Sequence, residues 1–391
     1  MPLEEKPKIR VLHIITRLII GGAQQNTILS ALGLKQTGDY DLTILSGPQT
    51  GPEGSLIKKA SSACTLHILK ELRRNINPFY DLIAFVKLIW FIQKGKFDII
   101  HTHSSKAGIL GRWAAKCAGT KIIVHTIHGW GHNTFQGPIK RSLYINLERL
   151  TLAITDKLIG VSKINIENGL ACGIGKANDY ELIRSGIDLK RFKNPKKTQA
   201  QICKQLTIDM PIPVIGTVTR LSAQKAPLDF IQSCAIISKN RPHVRFVIVG
   251  DGPLREKAEE LVSQLGLKDR LIFTGLRSDV PELMSIFSVF ALSSLWEGLP
   301  RVLPQAMALK LPIVATDIDG NSEAIINQQN GLLVPPGDYR TMADSIISLL
   351  DNPQKAKAMG EDGFSRIEEF SVEKMVNQID SLYRELMSCG K

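Results

Sequence analysis

Residues 289–316 read VFALSSLWEGLPRVLPQAMALKLPIVAT, in which two short apolar runs enclose a loop and a helical pattern. The first run, 289–292, and the second, 313–316, have the composition of buried strands. Parallel strands need a crossover connection between them, usually a helix. The stretch therefore predicts one βαβ unit of a parallel sheet, with its loop at a strand's carboxyl end, where doubly wound folds bind ligands.

The same alternation extends along the chain as two sets of five short runs separated by helical patterns. The runs are 10–16, 41–46, 97–101, 121–127 and 157–162 in the first half and 214–218, 245–249, 271–274, 289–292 and 313–316 in the second. We predict an α/β protein of two Rossmann-like domains that face each other across a cleft. The predicted domains are 1–190 and 191–370, with a basic linker within 186–213 and a C-terminal helix, 371–391, that packs back on the first domain.

The composition indicates a globular protein of the reducing cytoplasm. The chain of 391 residues is 43% hydrophobic, and its six cysteines are scattered without a C-x-x-C pair. This pattern argues against a disulfide framework or a cysteine-based zinc cluster. The start, M-P-L-E-E-K-P-K, does not have the pattern of a signal peptide, and the most apolar stretch, 82–92, is about half as long as a membrane span.

The formal net charge of +12 is concentrated in the first half of the chain. Residues 1–195 hold 27 Lys and Arg against 14 Asp and Glu, whereas residues 196–391 hold 22 against 23. Many of these cations flank or lie in a stretch that also contains Phe85, Trp90 and Phe91. They are Lys58, Lys59, Lys70, Arg73, Arg74, Lys87, Lys94 and Lys96. We predict that this region rests on an anionic inner-membrane surface; the alternative is a buried helix with ordinary solubility charge.

Two strand-end loops of the first half carry candidate binding groups. Gly21 and Gly22 follow the first run, where backbone N–H groups can approach a phosphate or sugar at a helix start. His128 follows the fourth run, and an imidazole there can hydrogen-bond substrate hydroxyls or handle protons. The alternative for a single histidine is a structural role.

Histidines are concentrated at or just after two neighbouring strand ends: His101, His103, His125, His128 and His132. A zinc site is the competing interpretation of this edge. Because alternating strand positions point to opposite faces and no cysteine is nearby, we predict no metal site.

Two loops of the second half carry charged candidates. Arg220 and Lys225 precede a helical pattern and can bind a diphosphate and stabilise the negative charge that develops as it leaves. The alternative is a solvated basic turn. Glu297 precedes a helix whose first position suits Pro300 or Pro304, and whose free amides favour phosphate. Because phosphate would repel a carboxylate, Glu297 is assigned to neutral sugar hydroxyls.

The chain resembles the retaining nucleotide-sugar glycosyltransferases of family 4, which have the GT-B fold. The resemblance rests on the ordered motifs G-G-A-Q, H-T-H-S-S-K-A-G, H-T-I-H-G-W, T-R-L-S-A-Q-K, V-G-D-G-P-L, F-T-G-L-R-S-D-V and E-G-L-P-R-V-L-P-Q-A-M-A. It spans nearly the whole chain and is densest from 214 to 337. It implies that four residues are catalytic. His128 and Glu297 would contact the transferred sugar, and Arg220 and Lys225 would hold the diphosphate. The substrate-binding residues that it implies are Gly21, Gly22, Leu276, Arg277, Gly298, Leu299, Arg301, Val302 and Gln305.

One residue departs from the family pattern, and one short sequence resembles a motif of a different fold. The pattern has a second Glu eight positions after the first, on the ribose hydroxyls, where this chain has Gln305. An amide accepts once and donates once, so the contact becomes neutral; alternatively Gln305 turns away from the site. Asp317 and Asp319 spell D-x-D, a metal–nucleotide motif of another glycosyltransferase fold, but their neighbours match the metal-free turn of this family.

The resemblance implies transfer of a sugar, with retention, from a nucleoside diphosphate, expected to be UDP, to a hydroxyl of a polyprenyl-linked glycan in cell-surface polysaccharide synthesis. It implies no cofactor, and a cytoplasmic enzyme peripheral to the plasma membrane. The alternative on the same fold is a sugar-nucleotide epimerase or hydrolase. A nucleic-acid-binding protein is disfavoured because no helix-turn-helix or zinc signature is found, and a nicotinamide oxidoreductase because no G-x-G-x-x-G follows the first strand.

Overall fold

The computed structural model describes residues 7–49, 51, 53–132, 136–209 and 211–389. The chain divides into two compact units, Met1–Gly186 with Val372–Lys391, and Ile187–Ser371. Each unit is built on one parallel sheet with helices on its faces. The predicted α/β class with two Rossmann-like domains is confirmed.

The first unit has a seven-stranded sheet. Its strands are β1 (Ile9–Ile15), β2 (Tyr40–Ser46), β3 (Thr65–Ile68), β4 (Ile99–His103), β5 (Ile122–Ile127), β6 (Lys157–Gly160) and β7 (Tyr180–Leu182), in the order β3-β2-β1-β4-β5-β6-β7. Its helices include α1 (Gly22–Gln36), α2 (Ile57–Ala63), α3 (Pro78–Gly95), α4 (Ser105–Cys117), α5 (Pro138–Leu152) and α6 (Lys163–Ala171). The strand order reverses between β1 and β4, which is therefore the switch point of this sheet.

The direction of each crossover decides which face its helix covers, because βαβ connections are right-handed. The connections through α1 and α2 move one way across the sheet, and Ile28 of α1 packs with Val11 on that face. The connections through α3, α4 and α5 move the other way, and Leu88 of α3 packs with Ile14 on the opposite face. Since both faces are covered, the strands are buried almost throughout.

The second unit has a six-stranded sheet. Its strands are β8 (Val214–Val218), β9 (Arg245–Val249), β10 (Leu271–Gly275), β11 (Val289–Leu292), β12 (Ile313–Thr316) and β13 (Leu332–Val334), in the order β10-β9-β8-β11-β12-β13. Its helices are α7 (Leu189–Lys193), α8 (Gln199–Leu206), α9 (Pro227–Asn240), α10 (Arg255–Gln264), α11 (Val280–Met284), α12 (Val302–Ala308), α13 (Asp319–Ala324), α14 (Tyr339–Asp351) and α15 (Pro353–Ser365). The switch point lies between β8 and β11.

The last helix, α16 (Val372–Cys389), belongs to the first unit although it follows the second in the chain. It packs on α1, and Ile379 and Tyr383 are buried in the same core as Ile28. The Tyr383 hydroxyl lies 2.6 Å from Nδ1 of His101 on β4. The C-terminal helix is therefore part of the core of the first unit.

The prediction of a linker within 186–213 is wrong. After Gly186 the chain enters the second unit directly and forms α7 and α8, which begin at side-chain caps from Asp188 and Thr198. Leu189 and Ile202 are buried. Most residues of this stretch are polar or basic, so its few buried apolar residues did not predict the two helices.

Candidate active site

The loops that follow β8 and β11 are tied together at the switch point of the second sheet. The backbone N–H of Leu295 donates to the carbonyl of Gln224 at 2.8 Å, and Nε2 of Gln224 donates to the carbonyl of Trp296 at 2.9 Å. The hydroxyl of Ser293 donates to the carbonyl of Ala226 at 2.9 Å. Both loops therefore hold a fixed position relative to each other.

Lys225 and Glu297 meet between these two loops. Nζ of Lys225 donates to Oε1 of Glu297, and the Ser294 hydroxyl donates to the same oxygen at 2.8 Å. The two charged side chains are only 20% and 8% exposed. Because the pair is largely shielded from water, its attraction is stronger than that of a surface pair. The cation predicted for the diphosphate and the carboxylate predicted for the sugar thus lie side by side.

The loop after β12 supports the bend at Gly298. The Thr316 hydroxyl donates to the carbonyl of Ser294 at 2.5 Å. Gly320 lies so close that a Cβ there would be 2.3 Å from the carbonyl oxygen of Gly298 and 3.1 Å from Cβ of Glu297. Only a glycine permits this approach, so the loops after three neighbouring strands form one rigid site.

Helix α12 begins at Val302, so neither Pro300 nor Pro304 holds the first helical position, and that prediction is wrong. Pro304 is the third helical residue, where the missing N–H is not needed, and it is buried. Gln305 follows Pro304 and is half-buried, and its backbone N–H donates to the carbonyl of Arg301 at 3.2 Å. The helix can therefore form with a proline inside its first turn.

The side chain of Arg301 is buried, as is that of Leu299. Burial lowers the pKa of the Arg301 guanidinium to about 10, so it remains a cation at neutral pH. For residues 299–302, the groups predicted to meet the donor are backbone amides, and the buried side chains of Leu299 and Arg301 keep that backbone in place after the bend at Gly298.

The other predicted groups of the second unit lie in the loops after β8 and β10. Arg220 is the second residue after β8. Leu276, 42% exposed, and Arg277 follow β10, two strands away in the sheet. Asp279 accepts from Nε and Nη2 of Arg277 at 2.7 and 2.6 Å, and this pairing lowers the pKa of the Asp279 carboxyl to about 2. The orientation of the Arg277 side chain is thus fixed by a bidentate ion pair.

The D-x-D sequence follows β12 and leads into α13. Asp317 is exposed and accepts from the Ser322 hydroxyl at 2.9 Å within its own turn. The side chain of Asp319 lies outside the described part of the chain.

In the first unit, the loops after β1 and β4 meet at the switch point. The hydroxyls of Thr16 and Ser104 lie 2.8 Å apart, and Ser104 has φ 63° and ψ 153°, a conformation rare for any residue but glycine. Gly21 caps α1 with an extended backbone, and Gly22 is the first residue of that helix. Gly21 and Gly22 therefore place the predicted phosphate-binding amides at a helix start.

The histidine-rich edge forms a hydrogen-bonded chain that the sequence did not reveal. Nδ1 of His13 lies 2.9 Å from Nε2 of His103, and Nδ1 of His103 lies 3.1 Å from Nε2 of His128. Burial lowers the pKa of the imidazoles of His13 and His103. His13 was missed because it stands inside an apolar run, although a polar residue within a buried strand was a signal.

The prediction that the histidines of this edge point to opposite faces is wrong for His101 and His103. His101 and His103 are two residues apart on β4, so they share a face, and their ring centroids lie 4.4 Å apart. Ligand atoms of His13, His101 and His103 lie within 4.8 Å of one another. Yet Tyr383 and Thr126, each at 2.6 Å, already occupy both ring nitrogens of His101, so the cluster is explained by hydrogen bonds.

Two of the predicted histidines lie apart from this chain. His125 points to the α4 face, where Nδ1 lies 2.9 Å from the Thr102 hydroxyl and the ring packs under Gly108. His132 is buried and stacks on Trp130. His125 is therefore hydrogen-bonded and His132 is stacked, each away from the line of His13, His103 and His128.

Comparison with known proteins agrees with this architecture. The sequence profile described as Glycosyltransferase Family 4 matches residues 20–191, and the profile described as Glycosyl transferases group 1 matches residues 198–366. This chain is 29% identical, over 97% of its length and 98% of the other, to a UDP-Gal:alpha-D-GlcNAc-diphosphoundecaprenol alpha-1,3-galactosyltransferase of Escherichia coli. It is 24% identical, over 81% of its length and 84% of the other, to the capsular polysaccharide biosynthesis glycosyltransferase CapM of Staphylococcus aureus.

Solved structures show the same fold. The crystal structure of Anabaena Alr3699/HepE in complex with UDP and glucose matches with a TM-score of 0.83 at 21% identity, covering 96% of this chain and 100% of that one. Sucrose-phosphate synthase from Thermosynechococcus elongatus matches with a TM-score of 0.83 at 23% identity, covering 98% and 100%. The chain belongs to the family 4 glycosyltransferases of the GT-B fold.

Proposed function

We propose that this chain is a retaining, metal-independent hexosyltransferase that takes a sugar from a uridine diphosphate donor and transfers it to a hydroxyl of a polyprenyl-linked glycan. The observation that carries the proposal is the shielded pairing of Lys225 with Glu297 at the switch point of the second sheet. The donor is supported by the UDP in the structure of Anabaena Alr3699/HepE, and the acceptor by the name of the Escherichia coli relative. The product would enter a cell-surface polysaccharide or glycolipid.

The chemistry assigned to the site follows from its charges. The bond between the anomeric carbon and the diphosphate oxygen breaks, the acceptor oxygen bonds to the same face of that carbon, and the acceptor proton passes to the departing phosphate oxygen. Arg220 and Lys225 stabilise the charge on the leaving group. Glu297 accepts from sugar hydroxyls, and Lys225 offsets the repulsion between that carboxylate and the diphosphate.

The proposed acceptor lies in a membrane, and the first unit has a surface that suits one. Within the described part of the chain, no helix is both long and apolar enough to span a bilayer. Instead α3 exposes a stripe, spaced by three or four residues, of Phe79, Leu82, Val86 and Trp90, each 57–68% exposed. We call these four residues the α3 stripe. Exposed apolar side chains in such a row are unusual unless they meet another apolar surface.

Helix α5, on the same face of the sheet and separated from α3 by α4, also exposes apolar side chains. Ile139 and Leu143 are 86% and 56% exposed. Cations accompany both helices: Nζ of Lys94 lies 5.0 Å from the centroid of Trp90, and Lys140 neighbours Tyr144. Apolar side chains beside cations suit an anionic lipid surface, so we propose that this face rests on the inner leaflet of the plasma membrane.

Parts of the sequence prediction for this surface are wrong. Phe85 and Phe91 pack against the core rather than facing outward. Lys58 and Lys59 lie on α2, which covers the opposite face of the sheet with α1. Lys87 is paired with Glu71 at 2.7 Å. Helix α3 is therefore buried along one side and exposed along the other.

Transfer is tested with the purified chain. Thermal shifts are measured with uridine, guanosine and adenosine diphosphate sugars, because a bound ligand stabilises the native state. A rise with the uridine donor, followed by transfer to a polyprenyl diphosphate glycan with retained anomeric configuration, is expected. Epimerised or hydrolysed donor, formed with no acceptor at a rate above that of transfer, would replace the proposal with the alternative activity.

Membrane binding is tested by flotation with phosphatidylglycerol vesicles at low salt. We expect the wild type to float, and Val86→Ser with Trp90→Ser to remain in the dense fraction. Ile326→Ser, which changes a side chain 45% exposed on the second unit, is the matched control and should float. A wild-type chain that stays at the bottom contradicts the membrane assignment.

A further inference from the structure

Three imidazoles form a line across the centre of the first sheet. His13 lies on β1, His103 on the neighbouring β4, and His128 directly after β5, the next strand. The His13 and His103 rings stack with centroids 5.2 Å apart, and those of His103 and His128 lie 5.4 Å apart. The line thus leads from the buried core to the strand end that carries a predicted catalytic residue.

Complete burial favours the neutral form of the inner two rings. His13 and His103 are fully buried, and burial lowers the pKa of His13 to about 3 and that of His103 well below its usual value. A neutral imidazole has one N–H and one lone pair. Both nitrogens of His103 face another histidine, so it must donate to one and accept from the other. The two hydrogen bonds therefore run in the same direction along the line.

The inner end of the line decides the direction. Nε2 of His13 is buried and has no hydrogen-bond partner among the described residues. If the bonds ran inward from His128, this nitrogen would carry an unsatisfied N–H. If they run outward, it keeps only a lone pair. A buried N–H without a partner is rarer in proteins than a buried lone pair without one. The hydrogen bonds therefore run outward, from His13 through His103 to His128.

We propose that His13 and His103 are positioning residues that hold His128 in the tautomer with its proton on Nδ1. His128 then accepts through Nε2 from His103 and has Nδ1–H as its donor, the form that can donate to a sugar oxygen. The sugar contact rests on the proposed function, whereas the tautomer is a property of the first unit.

The tautomer is read directly on the full-length chain labelled with nitrogen-15 histidine. The chain has 8 histidines, so long-range proton–nitrogen spectra at neutral pH are resolvable, and His128→Asn assigns the signal. We expect the Nδ1–H pattern for His128 in the wild type. An Nε2–H pattern, or a charged ring, overturns the proposal without any variant having to fold.

Variants of His103 test the positioning role. His103→Phe removes the donor, and His128 should move to the Nε2–H pattern that an unconstrained histidine prefers. His103→Gln keeps an acceptor for His13 and a donor for His128, so it should retain Nδ1–H. His132→Asn, outside the line, is the control. An unchanged His128 tautomer in folded His103→Phe would also overturn the proposal.

Activity gives a separate reading. His103→Phe should lower kcat/KM by about five- to tenfold, the value of one hydrogen bond, with UDP affinity unchanged and activity restored in His103→Gln. Equal activity in the two variants contradicts the role in catalysis. Zinc that binds stoichiometrically and shifts the signals of His13, His101 and His103 together would make the cluster a metal site instead. No transfer by the wild type, with the Nδ1–H pattern present, refutes only the proposed function.

Discussion

Lys225 and Glu297 are 72 positions apart in the sequence and form an ion pair between the loops that follow β8 and β11. The pair explains why a carboxylate can stand before a helix start that is suited to phosphate. A carboxylate alone would repel a diphosphate, whereas one already paired with a lysine adds little net charge. The lysine and the carboxylate therefore act as one unit.

Glu297→Ala should reduce turnover by about a hundredfold, because it removes a contact to the part of the donor where the bond breaks. Glu297→Gln keeps an acceptor for the Ser294 hydroxyl and loses the ion pair, so it should fall between the wild type and Glu297→Ala. Steady-state kinetics with saturating acceptor measure both. Turnover of Glu297→Ala within about threefold of the wild type would be incompatible with the sugar contact.

Gln305→Ala should raise the apparent KM for the donor by roughly fivefold with kcat nearly unchanged, since about 1 kcal/mol of neutral hydrogen bonding is lost far from the reacting carbon. Gln305→Glu should be tolerated and bind the donor nucleotide at least as well as the wild type, because a carboxylate accepts from both ribose hydroxyls. Titration calorimetry with UDP compares them. Equal affinities for all three proteins would mean that Gln305 faces away from the ribose.

Arg220→Ala should remove most of the activity, while a chelator leaves the wild type nearly unaffected, because cationic side chains and helix amides hold the diphosphate. Asp317→Asn is the matched control and should retain activity. Loss of turnover in chelator with recovery on adding manganese would assign the D-x-D sequence to a metal.

Ten of the strands in the described part of the chain were predicted from the sequence, including the edge strand β10, and three other edge strands were missed. The strands missed are β3, β7 and β13, each of three or four residues and each at the margin of its sheet. Strand β3 is mostly exposed and leaves no uninterrupted apolar run to recognise, whereas β13 is buried but only three residues long. Central parallel strands are buried on both faces, so their sequences are uninterrupted apolar runs that can be recognised.

The positions of Lys225 and Glu297 after strands were predicted from the sequence, but their contact with each other was not. Nothing in the spacing of Lys225 and Glu297 indicates that they touch, because the register of the two loops depends on contacts such as Leu295 with Gln224. His13 was hidden for a similar reason. Its relation to His101 and His103 follows from the pairing of β1 with β4, which a single sequence does not report.

Gly320→Ala should lower kcat/KM by about tenfold or more, because its Cβ would displace the Gly298 carbonyl from a distance of 2.3 Å, and small displacements of positioned groups are costly. Gly137→Ala meets open space and has an ordinary backbone, so it should behave as the wild type. Circular dichroism of both variants confirms folding. Full activity in Gly320→Ala would show that the bend is not held as described.

Tyr383→Phe should destabilise the first unit by about 2 kcal/mol, since it leaves Nδ1 of buried His101 without its partner. Tyr40→Phe is the matched control: its hydroxyl bonds to Asp380, which is partly exposed and keeps its ion pair with Arg384, so the cost should be smaller. Urea unfolding followed by far-ultraviolet circular dichroism compares them. A larger loss in Tyr40→Phe would reverse the ranking of the two contacts.

The return of α16 to the first unit has a consequence for how the protein is made on the ribosome. All seven strands of the first sheet leave the exit tunnel before the second unit, but the helix that buries Ile379 and Tyr383 leaves after it. Until then the side of α1 around Ser30 and Gly33, which packs on Met375 and Val376, remains uncovered. A gene fragment encoding 187–371 thus supplies a complete core, whereas one that stops at 186 yields a domain needing its last helix in trans.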